Sequence, residues 1–164
     1  MKVEFDNYLK RFPQLELPIT FSEDTHHDFS NENDPLQVEM IAEYITRYEA
    51  TEIDDDITEY VACFQLPLEK KDYAAVVYWK ATLLNYDYVL ATYDPKLGTM
   101  IDKKAIAGTK IVGNAVKRIV AIINEDLTIH AAEGIAESES GYNADASKIR
   151  RYQILDNGQI EQEY

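Results

Sequence analysis

Two adjacent histidines stand among acids in the stretch FSEDTHHDF, residues 21–29. Zinc sites take His, Cys and carboxylate ligands whose side chains converge on one point. Adjacent residues do not converge: on a strand they face opposite ways, and on a helix they sit about 100° apart. If residues 22–29 made a helical turn, Glu23 and His27 would be an i,i+4 pair and Asp24 would join from three positions before His27. His130, flanked by Ile129 and Ala131, would be a third ligand only if the fold carried it there. The plainer reading is an acidic loop in which His26 and His27 are solvated, and no metal or other cofactor is assigned.

A second acidic run, Glu52, Asp54, Asp55, Asp56 and Glu59, has the flavour of a calcium loop. An EF-hand needs acids at alternating positions, a glycine at the sixth and a glutamate at the twelfth. Counted from Asp54, the sixth residue is Glu59 and the twelfth is Gln65, so the match fails. The run reads as solvated acid, and its functional alternative is a docking patch for a basic partner. There the acids would steer and select, while Tyr44, Tyr48 and Tyr60 would supply anchors.

Nucleophile and phosphate chemistry fare no better. Gly108 and Gly113 have phosphate-loop spacing, but Asn114 and Ala115 follow where Lys and Ser/Thr are required. Cys63, between Ala62 and Phe64, has no local base to lower its pKa and reads as a buried, inert thiol. No GxSxG occurs, and Ser138 and Ser140 lie in a polar stretch. With 30 Asp and Glu in the chain, a carboxylate pair means nothing without geometry. No catalytic residue is assigned, and the chain leans away from being an enzyme.

Charge is the most informative quantity. The formal net charge over 164 residues is −14. Residues 1–60 carry 16 acids against 4 bases (−12), residues 61–123 carry 5 against 9 (+4), and residues 124–164 carry 9 against 3 (−6). Nucleic-acid binding needs a net positive footprint and is not expected. No apolar run approaches the roughly 18 residues of a membrane span. The first residues lack an apolar signal segment. The single cysteine agrees with a reducing compartment. The chain therefore reads as a cytoplasmic protein with no membrane partner.

The elements that must position these residues follow from periodicity. Residues 2–12 look like a short amphipathic helix ended by Pro13. LELPITF is extended, and residues 22–34, without a period, form a loop. Asp34 as N-cap and Pro35 at the first helical position open a helix over residues 35–48. Its apolar face is Leu36, Met40, Ile41, Tyr44, Ile45 and Tyr48. From Glu59 the period becomes two. EYVACFQLPL and YDYVLATY are strands, and YAAVVYWKATLL, apolar on both faces, is a central strand covered on both sides. DPKLG turns the chain into TMIDKKAIA. GTKIVGNA is a loop, VKRIVAIIN and LTIHAAEGI are strands, and AESESGYNADAS is a polar connector. KIRRYQIL and QIEQEY flank the tight turn DNG.

The expected fold is α+β in one domain: two N-terminal helices packed on a mainly antiparallel meander of about six to eight strands. Residues 1–60 form its acidic helical part and residues 61–164 its sheet. The hairpins TYDPKLGTMI and QILDNGQIEQ, with helices ahead of them, resemble small bacterial proteins of unassigned function with the same architecture. That resemblance carries over no functional residue. The expected function is a non-catalytic interaction module for a basic partner, of inhibitor or immunity type. The alternative is a small-ligand module with an aromatic pocket between helix 35–48 and the sheet, and the third reading is a carboxylate- or metal-dependent enzyme. Twelve tyrosines suit either a pocket or a cross-strand ladder. A homodimer through an exposed edge strand is a further expectation.

Overall fold

A computed structural model describes residues 4–22, 25–49, 58–68, 71–137 and 141–163, the side chains of 26–27, 135–137 and 141–147 excepted. The chain runs α1 (Phe5–Leu9), β1 (Ile19–Phe21), α2 (Thr25–Glu32), α3 (Val38–Tyr44) and a 3₁₀ turn (Thr46–Tyr48). Eight strands follow: β2 (Glu59–Gln65), β3 (Ala74–Ala81), β4 (Asn85–Asp94), β5 (Thr99–Val112), β6 (Ala115–Ile123), β7 (Thr128–Glu137), β8 (Gly141–Ile154) and β9 (Ile160–Glu163). The fold is α+β, and every strand pair is antiparallel.

The sheet has nine strands where six to eight were expected. It runs β2 to β9 in chain order, a true meander. The additional strand, β1, pairs with β6 over Ile19–Phe21 against Ala121–Ile123, next to the point where β5 leaves β6 at Ile119. The stretch GTKIVGNA is not a loop. β5 continues to Val112 and turns only at Gly113 and Asn114. Part of the polar connector is also strand, because β8 begins at Gly141 and pairs with β7. Both segments pair through their backbones, and polar side chains do not forbid that.

Two helical expectations also change. Residues 22–34 contain α2. The Thr25 hydroxyl accepts the Ser22 N–H at 3.1 Å and donates to the Ser22 carbonyl at 2.7 Å, closing the entry turn. Phe29 is the helix's one large apolar residue and packs on Phe64 at 5.8 Å between ring centroids, so no period was legible. The helix expected over 35–48 is shorter. It starts after an extended Gln37 (ψ 151), not at Asp34 and Pro35, and Ile45 (φ −123) ends it. Asp34 instead faces Arg11 at 3.7 Å.

The two faces of β3 explain the layering. Ala75, Val77, Trp79 and Ala81 enter one core with Phe64, Leu90, Ile106, Ile123, Ile129 and Tyr152, so β2–β5 and β6–β8 fold over one another. Val76 and Tyr78 face a second core, where Phe5, Tyr8 and Phe12 of the first helical segment meet Met40, Tyr44 and Ile45. The central strand is therefore buried on both sides, as its apolar alternation requires. Two polar links hold the curled sheet: Thr92 Oγ1 donates to the Gly158 carbonyl at 2.6 Å, and the Ile160 N–H donates to Asp102 at 2.9 Å.

Gly108 (φ +150) is, with Thr109 and Lys110, shared by the β4–β5 and β5–β6 ladders, and a Cβ there would lie 2.1 Å from the Tyr86 carbonyl oxygen. A bulge in β2 between Ala62 and Phe64 leaves Cys63 outside the ladder. Asn33 Nδ2, just beyond α2, donates to the Ala62 and Cys63 carbonyls at 2.6 and 2.9 Å. These bonds satisfy acceptors that the bulge orphans.

Candidate functional site

The three helices of the acid-rich first third pack on β2, β3 and β4. α1 and α3 cover the Val76–Tyr78 face, and α2 packs along β2. Rings fix this layer: Phe5–Tyr44 at 5.4 Å, Tyr8–Tyr44 at 4.7 Å and Tyr8–Tyr93 at 5.6 Å. Fully burying rings of this size stabilises by roughly 1.5–3 kcal/mol each. Glu4, Asp6 and Glu39 are exposed on or beside α1 and α3, and Asp28, Glu32 and Asp34 are exposed on or beside α2, whose Phe29 packs on the other core. The layer's two arginines are engaged, Arg11 with Asp34 at 3.7 Å and Arg47 with Glu43 at 2.9 Å. Glu4, Asp6, Asp28, Glu32 and Glu39 make no ion pair with the described residues.

Where the helical layer ends, a polar row crosses the sheet. Tyr60, Lys80 and Asp87 are register neighbours on β2, β3 and β4. Glu49 accepts from Lys80 Nζ at 2.9 Å and from the Tyr60 hydroxyl at 3.1 Å, and the Lys80 ammonium lies 5.8 Å from the Tyr60 ring centroid. Burial raises the Asp87 carboxyl, opposed by Lys110 and Lys80. Burial lowers the Lys103 ammonium, opposed by Glu49. The acidic connector leaves the described chain at Glu49 and rejoins it at Thr58, beside this row.

The residues singled out from sequence fall in different places. Glu52, Asp54, Asp55 and Asp56 lie outside the described residues, as do Glu23 and Asp24. Tyr44 is 2% exposed, and its carbonyl accepts the Tyr93 hydroxyl at 2.7 Å, so it belongs to the core and not to a surface. Its periodicity with Met40 and Ile41 is a core signal. Tyr48 is half-buried beside Arg47, Tyr60 is half-buried against Glu49, and Glu59 is exposed. His26 and His27 stand on α2, and exposed His130 stands on β7 opposite Ile122 and Arg151. Among the described residues no group of three His, Cys, Asp or Glu converges as a metal site. Cys63 is buried, and burial pushes its thiol up.

The place expected for an aromatic pocket, between α3 and the sheet, is filled by Tyr8, Tyr44, Tyr78 and Tyr93, each 2% exposed or less. Concavities lie elsewhere. One of about 430 Å³ sits between α1, α3 and the β4–β5 turn, with Glu4, Asp6, Glu43, Arg47 and Lys96 around it. Another of about 660 Å³ is lined by Leu17, Pro67, Leu68 and Leu127. Its lining comes from segments about 50 residues apart in sequence, so no local motif could have marked it. The chain matches no protein-family model, no curated protein and no solved structure.

Proposed function

We propose that the protein is a non-catalytic interaction module that binds a basic protein through its acidic helical layer and the adjoining connector, in the manner of an inhibitor or immunity-type protein. The observation that carries this reading is the set of unpaired carboxylates on the helical layer. Glu4, Asp6, Asp28, Glu32 and Glu39 are exposed without ion pairs to the described residues, while both arginines of the layer are already engaged. Asp54, Asp55 and Asp56 add charge to the same part of the chain. Such a field accelerates association with a cationic surface and weakens as salt rises, since the Debye length is about 8 Å at physiological ionic strength. Tyr48 and Tyr60 supply half-buried rings at its edge.

The test is affinity capture from native lysate at low and moderate salt. Wild type is compared with an Asp54→Asn, Asp55→Asn, Asp56→Asn variant and with a Glu32→Gln, Glu39→Gln variant. A basic protein held by wild type, shed as salt rises and lost in either variant supports the reading. Capture that ignores both variants and salt removes the acidic layer from the interface.

A further inference from the structure

The cleft of about 660 Å³ joins three segments: Glu16 and Leu17, then Pro67, Leu68 and Lys71, and finally Glu125 and Leu127. Its volume lies within the roughly 300–1,000 Å³ typical of small-ligand sites. Four apolar side chains line it, and the three charged residues are exposed at its rim. Lys71 faces Asp156 at 3.6 Å. Glu16 and Glu125 make no ion pair with the described residues, whereas the rim lysine is already engaged.

Leu127 brings the β6–β7 turn into the cleft wall. It is the one described residue other than glycine with positive φ, at +66. Turns usually place glycine or asparagine there. The leucine is nonetheless 8% exposed, belongs to the main core and lines the cleft. The conformation belongs to the hairpin turn: the Leu127 N–H donates to the Asn124 carbonyl at 3.0 Å and the Asn124 N–H to the Thr128 carbonyl at 2.9 Å, the pattern in which Gly158 takes positive φ between Leu155 and Gln159.

We propose that this cleft binds a small amphipathic cation, its aliphatic part against Leu17, Pro67, Leu68 and Leu127 and its ammonium between Glu16 and Glu125. The site is separate from the acidic helical layer, and neither proposal depends on the other.

The experiment is a backbone amide NMR titration of the full chain with hexylammonium, with hexanol and hexanoate as matched probes. Hexylammonium shifts the amides of Leu17, Leu68 and Leu127 saturably and binds roughly 3- to 10-fold more tightly than hexanol, the range expected for one or two exposed charge contacts. Hexanoate binds most weakly. The Glu16→Gln, Glu125→Gln variant brings hexylammonium to the hexanol level and leaves hexanol binding unchanged, which also shows that the variant is folded. Absence of saturable shifts at the cleft overturns the proposal, as does hexanoate binding as tightly as hexylammonium. Tighter binding of an acetylated Leu-Lys amide than of hexylammonium overturns the small-molecule assignment in favour of a peptide. Lysate capture by the same variant stays at the wild-type level, so failure here and failure of the interaction reading are distinguishable.

Discussion

Replacing Tyr93 by phenylalanine tests how the helical layer is held. The Tyr93 hydroxyl reaches the Tyr44 carbonyl at 2.7 Å and the Tyr8 hydroxyl at 3.0 Å. A carbonyl cannot donate, so Tyr93 donates to Tyr44 and Tyr8 must donate to Tyr93. The Tyr44 carbonyl is one of the orphan acceptors at the end of α3, and Tyr93 supplies its partner from β4. Tyr93→Phe keeps the ring but removes the hydroxyl that donates to the Tyr44 carbonyl and accepts from the buried Tyr8 hydroxyl. Each loss costs about 1–3 kcal/mol, so the two together cost about 2–6 kcal/mol. For a chain of this size, Tm falls by roughly 4–24 °C. Tyr8→Phe leaves the Tyr93 donor engaged and costs about 0.5–1.5 kcal/mol. The double variant costs less than the sum, because the Tyr8 donor is then absent. Urea denaturation of the three variants measures this, with m unchanged. Equal losses for Tyr8→Phe and Tyr93→Phe, or a loss below about 1 kcal/mol for Tyr93→Phe, refute the proton direction.

Two further outcomes follow from the same accounting of buried polar groups. Burial raises the phenols of Tyr8, Tyr78 and Tyr93, and that of Tyr73 to about 12. The unfolded chain therefore releases these protons near pH 10 while the fold retains them. Stability is full below about pH 10 and falls as pH rises toward and past 12. Denaturant midpoints at increasing pH check the slope, and a flat profile above pH 10 contradicts it. Asn33→Ala removes both N–H donors from the β2 bulge and costs about 1–3 kcal/mol. A thermal melt that moves by less than about 2 °C would show that water replaces the amide.

Local periodicity determined much of this protein. The two-sided apolar alternation of residues 74–81 required a strand covered on both faces, and the two cores lie where those faces point. The hairpin turns DPKLG and DNG each implied a neighbouring antiparallel pair, β4–β5 and β8–β9, and the sheet order follows the chain. Chain-wide charge was also plain, since it needs only counting.

Tertiary structure decided what depends on distant partners. α2 has one apolar anchor, Phe29, and the Phe64 ring that receives it is 35 positions away. β1 is three residues long and exists because β6 offers an edge where β5 departs. Tyr44 reads equally as surface anchor or core residue until Phe5, Tyr8 and Tyr93 close around it. The cleft at Leu127 has no local pattern, because its walls meet only when the sheet curls and brings the β6–β7 turn beside the segment after β2. Periodicity reports which face of an element avoids water. It carries no information on which remote side chain completes a hydrogen bond or closes a cavity.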